Sequence, residues 1–329
     1  MMAYNRRVSA ASRPAQTLRA APQRALVSRR DLILAALWQA RAQDVTFSTD
    51  VNLVELLATV RDKTGRFVRD LTKDDFSLQE DGRLQTILHF SQESNQPLKI
   101  GLLVDTSRSQ IPVLEPERKA SFTFLDQVLR ADDSAFVMHF DIQVGLLQGF
   151  TSSREALAKA LSALEIPKRA STLLFDAVRE ASEELMRRQN GRKAFILLSD
   201  GGDVHSNTSI GTAIEYAQRA DTLIYSIVFG ASPLRGIHPG VIAVMEIYRE
   251  HGRSTMRKLA QETGGRCFEV SKNESISQIY REIEDELRSQ YTIAYTSDRT
   301  DGSKGYRKIS LVMADKKLTA RTRPGYYPK

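Results

Sequence analysis

Five oxygen-bearing side chains in three short motifs are the residues of this chain whose types and spacing could do chemistry together. The first motif is Asp105-Thr-Ser107-Arg-Ser109, the second contains Thr172, and the third is Ser199-Asp200-Gly201. Two carboxylates and three hydroxyls are the candidates, with no His or Cys among them. Hard oxygen ligands of this kind suit Mg²⁺, Mn²⁺ or Ca²⁺ rather than zinc or copper. The motifs therefore predict a divalent-cation site formed by Asp105, Ser107, Ser109, Thr172 and Asp200.

The elements around these motifs predict that they meet at one point. Continuous apolar runs precede both aspartates, Lys99–Val104 before Asp105 and Lys193–Leu198 before Asp200. Runs of this kind are typical of parallel strands that helices cover on both faces. In a doubly wound sheet of order 3-2-1-4-5, strands one and four are neighbours, and ligands bind in the crevice outside their carboxyl ends. We therefore expect Asp105 and Asp200 to flank this crevice, with Thr172 on a loop above it.

The periodicity of residues 97–295 predicts one α/β domain with a doubly wound, mostly parallel sheet. Its apolar runs predict strands over 99–104, 134–140, 193–198, 222–229 and 266–270, and an antiparallel edge strand over 144–150. Helical segments alternate with these strands, over 115–130, 153–164, 173–188, 208–220, 254–263 and 275–289.

The segments on either side of this region have the pattern of short strands separated by turns. Residues 44–96 contain strand-like stretches over 51–60, 66–68, 74–82 and 84–90, with turns at Gly65 and Gly82. The same pattern returns over 296–329. Because neither segment is long enough to bury a good core alone, we expect the two to pack together as a small, β-sandwich-like all-β domain.

Residues 1–43 form a basic leader. This leader contains eight arginines and one acid, Asp31, which accounts for the whole formal net charge of +7. Residues 1–27 are predicted to be disordered. Ser28-Arg29-Arg30, the apolar Leu32–Trp38 and Ala40-Arg41-Ala42 resemble a twin-arginine export signal with a cleavage site. We expect export to the periplasm, the cell envelope or the medium, through a twin-arginine-like or general signal. The alternative is a basic tail on a cytoplasmic protein.

Charge, hydropathy and cysteine content narrow the possible partners. Because the chain after the leader is nearly neutral, it lacks the basic surface of a nucleic-acid-binding protein. No stretch approaches the roughly 18 apolar residues of a transmembrane helix. The single cysteine, Cys267, excludes an intrachain disulfide and is expected to be a buried, inert thiol. No sequence feature specifies an oligomeric state.

The three motifs resemble the von Willebrand factor type A (VWFA) and integrin I-domain family over roughly residues 97–295. This resemblance implies a metal ion-dependent adhesion site (MIDAS), in which Ser107, Ser109 and Thr172 bind the cation directly and the two aspartates act mostly through water. An acidic side chain of a protein partner then completes the coordination shell. One departure is Ser171, since glycine commonly precedes the threonine in the family.

Motifs in the flanking β segments resemble a narrower group, the bacterial VWFA-related domain proteins, which are typically predicted to be exported. These motifs are Val60-Arg-Asp-Lys-Thr-Gly-Arg-Phe-Val68, Asp75-Phe followed by Glu80-Asp-Gly82, and Arg321-Thr-Arg-Pro-Gly325-Tyr326. The resemblance implies an architecture rather than an activity, because the function of that group is poorly defined.

Together these features predict a non-catalytic adhesion or interaction module that binds a protein through a Mg²⁺, Mn²⁺ or Ca²⁺ ion. No serine lies in a Gly-x-Ser-x-Gly elbow, and Gly201-Gly202 lacks the Lys-Ser/Thr of a phosphate-binding loop. Two alternatives stay open. One is an intracellular adaptor of an ATPase chaperone, and the other is a metal-dependent hydrolase or phosphotransfer enzyme, which would need an Asp nucleophile with a Lys partner.

Five further features receive structural interpretations. We expect His139 to pack in its strand, His205 to lie on a surface loop, Asp176 to pack or bond to the neighbouring loop, and Asp203 to support that loop. The insertion 237–253 contains the apolar stretch 241–248, which has the pattern of an amphipathic helix and is expected to pack in the core; contact with a partner is the alternative.

Overall fold

The structure, a computed structural model, describes residues 53–92, 96–169, 171–229, 239–299 and 302–328. The basic leader and its predicted export signal lie outside the described residues. None of the helices within these ranges combines the length and the apolar character of a membrane span.

A six-stranded sheet forms the centre of the fold. Its strands are β5 (Leu98–Asp105), β6 (Ser134–Phe140), β7 (Val144–Thr151), β8 (Arg192–Leu198), β9 (Thr222–Phe229) and β10 (Cys267–Val270). They lie in the order β10-β9-β8-β5-β6-β7. All neighbours are parallel except β7, which pairs antiparallel with β6 at the edge. The predicted doubly wound sheet is confirmed, and β5 and β8, the strands that precede the two candidate aspartates, are adjacent.

Six helices alternate with these strands in the described part of the chain. They are α1 (Leu114–Val128), α2 (Arg154–Ser162), α3 (Leu174–Glu180), α4 (Ile210–Arg219), α5 (Pro239–Thr263) and α6 (Ile276–Arg288). Serine caps begin three of them: the hydroxyls of Ser153, Ser209 and Ser275 accept hydrogen bonds from backbone N–H groups three residues on. One π-helical turn, Ala181–Met186, continues α3.

The helices cover both faces of the sheet because the strand side chains alternate between two apolar clusters. Val104 belongs to the cluster that contains Phe124 of α1 and Ile283 of α6. Its neighbour Leu103 belongs to the opposite cluster, with Leu259 of α5. Because helices cover both faces of the sheet, most of its polar residues lie at or near the amino and carboxyl ends of the strands.

Two four-stranded antiparallel sheets are built from the flanking segments. Their strands are β1 (Leu53–Arg61), β2 (Phe76–Glu80), β3 (Arg83–Gln85), β4 (His89–Ser91), β11 (Tyr291–Thr296), β12 (Arg307–Met313), β13 (Thr319–Arg321) and β14 (Gly325–Tyr326). Their orders are β13-β1-β11-β4 and β14-β12-β2-β3. Each sheet mixes strands from both sides of the α/β region, with Leu56, Leu78 and Tyr295 in a shared core. β11 crosses the predicted boundary between residues 295 and 296, and its hydrogen bonds join it to β1 in this small β domain.

Two of the strands expected in the first flanking segment form differently. Residues 66–68 make only an isolated bridge, Phe67 to Arg61. This segment folds back on the end of β1, where the N–H of Val68 donates to the carbonyl of Val60 at 2.9 Å. The Tyr291 hydroxyl also donates to the carbonyl of Val68 at 3.0 Å and accepts from the N–H of Leu71 at 3.2 Å. Residues 84–90 divide into β3 and β4, since the chain there crosses from the sheet of β2 to the sheet of β11.

The largest departure from the predicted elements is α5. The sequence predicts a helix over 254–263 after a separate insertion, with the apolar stretch 241–248 in the core. The structure instead has one continuous helix, Pro239–Thr263, and Val244 and Tyr248 are exposed. The expected core packing of this stretch is therefore wrong. Gly252 does not end the helix, because an interior glycine costs only about 1 kcal/mol relative to alanine.

Candidate metal centre

The structure places the five candidate ligands on three loops at the carboxyl edge of β5 and β8. Asp105 is the last residue of β5, and Ser107 and Ser109 follow it in a turn that includes the 3₁₀ segment Arg108–Gln110. Asp200 comes two residues after the end of β8, and Thr172 precedes α3. The loops approach one another as the doubly wound order predicts.

The Asp105 carboxylate is fully buried and fixed through both oxygens. Its Oδ1 accepts the N–H of Ser107 at 2.8 Å, and its Oδ2 accepts the hydroxyl of Ser199 at 2.6 Å. The Ser199 hydroxyl in turn accepts the N–H of Gly201 at 2.9 Å. Ser199 is thus a positioning residue that the sequence interpretation missed, although it lies in the Ser-Asp-Gly motif. It joins the end of β5 to the loop after β8.

Two hydroxyls face each other beside this carboxylate. The Oγ atoms of Ser107 and Ser109 lie 2.9 Å apart, and Gln110 donates its side-chain amide to Ser109 at 3.1 Å. Such close hydroxyls can offer lone pairs toward one cation.

Thr172 is joined to the site through the backbone. It forms a two-way bridge with Val204, in which its N–H donates at 3.3 Å and its carbonyl accepts at 2.8 Å. The loop after Asp200 is therefore held against the loop of Thr172. The Ser171 hydroxyl donates to the carbonyl of Val204 at 2.9 Å, so the residue that departs from the family pattern strengthens this contact.

Two further acids hold the same loops. Asp176 accepts the N–H groups of Asn207 and Thr208 at 2.9 and 3.0 Å. Asp203 accepts the N–H of Phe175 at 3.1 Å and the hydroxyl of Ser206 at 2.6 Å. Both residues have the supporting roles that the sequence predicts.

The loop of Asp200 packs directly on the backbone of α5. Gly201 has a φ of +81°, and a Cβ there would lie 2.1 Å from the carbonyl oxygen of Gly252. A Cβ on Gly252 would lie 2.2 Å from the carbonyl oxygen of Asp200. Only glycine fits at either position, which explains why α5 carries a glycine in its interior.

The electrostatics of the site favour a cation. Burial, together with the neighbouring charge of Asp200, raises the pKa of Asp105 to about 7, against the hydrogen bonds from Ser199 and Ser107. Within the described ranges, neither aspartate forms an ion pair with a basic side chain. A buried carboxylate beside a second, partly buried one is unfavourable without a counter-charge, and a bound cation would remove the repulsion.

Glu117 of α1 adds a third acid that the sequence interpretation passed over. Its side chain is 1% exposed, and in the part of the chain that the structure describes both carboxyl oxygens lack a hydrogen-bond partner. Burial, and then the charges of Asp105 and Asp200, raise its pKa well above the usual range. The sequence contains a signal for this burial, because its periodicity puts Glu117 on the same helical face as Leu114, Ser121 and Phe124.

The donor set fits a hard divalent cation. It contains carboxylate and hydroxyl oxygens, and no group of three or more His, Cys, Asp and Glu side chains in the described residues is arranged to hold a metal. A cation at this edge would therefore depend on hydroxyl ligands. Hydroxyl and carboxylate oxygens are typical ligands of Mg²⁺, Mn²⁺ and Ca²⁺.

The other candidates from the sequence have structural roles. His139 Nδ1 lies 3.1 Å from Asp141 Oδ2, and the fully buried Thr106 hydroxyl donates to the same oxygen at 2.6 Å. This group ties the end of β5 to β6. His205 is exposed on its loop, as expected. Cys267 is half-buried rather than buried, and burial raises the pKa of its thiol, which keeps the thiol unreactive.

Comparison with known proteins gives one family match and several structural similarities. The von Willebrand factor type A domain family matches residues 100–282. No curated protein matches the chain. Proximal thread matrix protein 1 from the mussel byssus, in a structure with a zinc-occupied MIDAS motif, is 15% identical with a TM-score of 0.46. That match covers 63% of this chain and 49% of the mussel chain, so it spans about half of that protein.

Two bacterial structures are similar to this chain to about the same degree as the mussel protein. BatB from Bacteroides thetaiotaomicron is 17% identical with a TM-score of 0.44, over 58% of this chain and 97% of that chain. The vWF domain of the type V pili tip protein Mfa5 from Porphyromonas gingivalis is 11% identical with a TM-score of 0.45, over 58% of this chain and 95% of that chain. The family match spans more than half of this chain and includes all three loops of the candidate centre. The chain therefore belongs to the von Willebrand factor type A domain family.

Proposed function

We propose that this protein is a divalent-cation-dependent protein-binding module. Ser107, Ser109 and Thr172 would hold the cation, and Asp105 and Asp200 would neutralise most of its charge. The observation that carries the proposal is the buried Asp105 carboxylate, which lies beside Asp200 and adjoins the paired hydroxyls of Ser107 and Ser109. Mg²⁺ is the first choice, with Mn²⁺ and Ca²⁺ as alternatives.

A ligand set of hydroxyls and two carboxylates supports recognition of an acidic partner. Neutral hydroxyl ligands leave the cation electrophilic, and a carboxylate from outside is a favourable further ligand for a hard cation. The proposed partner is therefore a protein that donates one acidic side chain to the cation. The family match supports the general role of an interaction module.

The geometry of Asp105 argues against an enzyme that uses this residue as a nucleophile. Both carboxylate oxygens already accept hydrogen bonds, from the Ser107 N–H and the Ser199 hydroxyl, and the side chain is fully buried. An attacking carboxylate needs an oxygen that can reach a substrate. We therefore propose binding as the function, and hydrolysis is the less favoured alternative.

The cellular location decides between an exported binding module and an intracellular adaptor. The proposal favours export, and it rests on the twin-arginine-like motif of the leader, which lies outside the described residues. Amino-terminal sequencing of the protein from its native cells tests this. A mature terminus near Gln43 supports export, and an intact leader supports the adaptor.

Cation titration by calorimetry tests the proposed function on the full chain. We expect saturable binding of Mg²⁺, Mn²⁺ or Ca²⁺ by the natural protein and a loss of at least about tenfold in affinity in both Asp105→Ala and Ser107→Ala, because each removes a group at the cation. Asp132→Ala and Ser152→Ala are matched controls, since both residues are exposed and adjoin the amino edge of the sheet. Equal affinities in all five proteins would refute the site.

Replacing Glu117 with glutamine should weaken cation binding by about 10- to 100-fold, the usual range for groups just outside a metal's ligands. The change removes a carboxyl group that would ionise once a cation offsets the charges of Asp105 and Asp200, while it keeps the side-chain shape. Glu115→Gln is the control, because that side chain is on the same helix and 79% exposed. If both variants bind Mg²⁺ with the natural affinity, Glu117 contributes to packing and not to cation binding.

A further inference from the structure

The first half of α5 projects beyond the edge of the sheet that carries the candidate metal centre. The Ser226 hydroxyl of β9 donates to the carbonyl of Met256 at 2.9 Å, which fixes the level of the second half of the helix. Gly252, one turn earlier, lies against Asp200, just past the end of β8. From Gly252 back to Gly240 the helix therefore extends about 18 Å past the sheet edge, at about 1.5 Å per residue.

Among the described residues, this projecting half carries an apolar stripe whose side chains are exposed. Val241, Val244, Met245 and Tyr248 follow the i, i+3, i+4, i+7 spacing of one helix face. Their exposed fractions are 50%, 52%, 39% and 75%. Met256 and Leu259, in the second half of the same helix, are fully buried against the sheet. These four residues, the α5 stripe, lie on the same side of the helix as Met256 and Leu259, so the face that packs on the sheet continues past the sheet and is exposed there.

The loops of the metal centre also carry exposed apolar side chains. Ile111, two residues after Ser109, is 59% exposed, and Val204, which bridges to Thr172, is 49% exposed. Both side chains are on loops that carry proposed ligands. Exposed apolar groups that surround a polar site are typical of a protein-interaction surface.

The charges of the projecting turns neutralise one another. Glu246 pairs with Arg249 at 2.7 Å, and Glu250 pairs with Arg253 at 3.6 Å. Since these pairs leave no excess of either sign along the projecting turns, the helix adds no charge that would oppose an acidic side chain bound at the proposed cation. The complement of such a face is a single negative charge among apolar groups.

We propose that the α5 stripe is a docking surface continuous with the metal centre, and that its occupant is a protein segment in which one acidic side chain is flanked by apolar side chains. The inference rests on the proposed function, because the acid would bind the cation while the flanking groups cover the stripe. The stripe would select among acidic partners, since a carboxylate alone is common to many proteins.

The test uses a displayed peptide library with a fixed central Asp and four randomised positions on each side. Selections are run in Mg²⁺ on the full natural chain, and the chosen peptides are measured against a stripe variant, Val244→Ser with Met245→Ser and Tyr248→Ser. We expect apolar residues next to the Asp and at least a tenfold weaker affinity in the stripe variant. The matched control replaces three other exposed apolar residues, Leu84, Leu88 and Val312 of the small β domain, with serine.

The outcomes separate this inference from the proposed function. The inference is overturned if the stripe variant binds the peptides as the natural chain does, if charged residues are selected beside the Asp, or if sedimentation shows that the stripe pairs two copies of the chain. It is supported if the stripe variant loses the peptides but keeps its Mg²⁺ affinity. Binding that persists in EDTA or in Asp105→Ala overturns the proposed function itself. A library without any Mg²⁺-dependent peptide counts against both.

Discussion

Replacing Gly252 with alanine is expected to weaken divalent-cation binding at least about tenfold and to lower the free energy of unfolding by about 1–3 kcal/mol, the usual range for overpacking. The added Cβ would lie 2.2 Å from the Asp200 carbonyl oxygen and 3.3 Å from the Gly201 carbonyl carbon. Because these are backbone atoms on a loop that Thr172 and Ser199 also hold, the contact can be relieved only if α5 and the Asp200 loop move apart. The Asp200 carboxylate would then no longer be held in position beside the cation.

Gly211→Ala is the matched control for this prediction. Gly211 also lies in a helix, α4, but the nearest atom to its added Cβ is the Ser209 hydroxyl at 3.8 Å, an ordinary contact. Alanine is a better helix former than glycine, so this variant should be neutral or more stable by up to about 1 kcal/mol. Calorimetric Mg²⁺ titration and urea unfolding of both variants measure the two effects. Natural cation affinity in Gly252→Ala would show that the helix and the site are not mechanically linked.

Replacing Glu286 with alanine is expected to lower the free energy of unfolding by about 3–5 kcal/mol, the cost of removing one partner of a buried ion pair. Glu286 lies on α6 and is 1% exposed. Its carboxylate lies 3.1 Å from Arg61 of β1, 3.4 Å from Arg321 of β13 and 3.4 Å from Arg266, which precedes β10. In the variant, these partly buried arginines lose the negative charge of Glu286. Helix α6 also loses its ion pairs from this residue to β1 and β13 of the small β domain.

Glu184→Ala is a suitable control for the Glu286 variant, because Glu184 is an exposed glutamate in the π-helical turn after α3. It should change stability by less than about 0.5 kcal/mol. Urea unfolding followed by circular dichroism measures the difference between the two variants. A loss below about 1 kcal/mol in Glu286→Ala would mean that water already solvates the arginines well. Cation affinity should stay unchanged in both variants, which separates this effect from that of Gly252→Ala.

Local sequence patterns predict the elements that position the candidate site. Apolar runs followed by polar residues identify β5 and β8, and their alternation with helices predicts the doubly wound order that makes them neighbours. The flanking strands are harder to predict. Residues 66–68 have strand-like composition and fold back on the end of β1, but their pairing is limited to an isolated bridge. The carbonyl of Val68 instead accepts the hydroxyl of Tyr291, 223 residues away, and a local pattern does not contain such a contact.

The apolar stretch of α5 shows a limit of periodicity. Val241, Val244, Met245 and Tyr248 have the spacing of a buried helix face, and the same spacing occurs in faces that bind partners. Where the helix stands relative to the sheet decides between the two, and Gly252 sets that position through its contact with Asp200. The sequence alone therefore predicted the helical face correctly but its burial wrongly.

By itself, the sequence of this protein determined the fold class, and it supplied the five candidate ligands and the oxygen donors on which the proposed cation rests, because periodicity and side-chain donor type are properties of residues close together in the chain. Only the tertiary structure decided that Ser199 fixes Asp105 across 94 residues, that Glu117 is buried beside the two aspartates, and that α5 stands past the sheet edge next to them. These features arise when separate elements exclude water from a shared space. Burial and close approach depend on the packing of several distant segments at once, and no local pattern of residues encodes them.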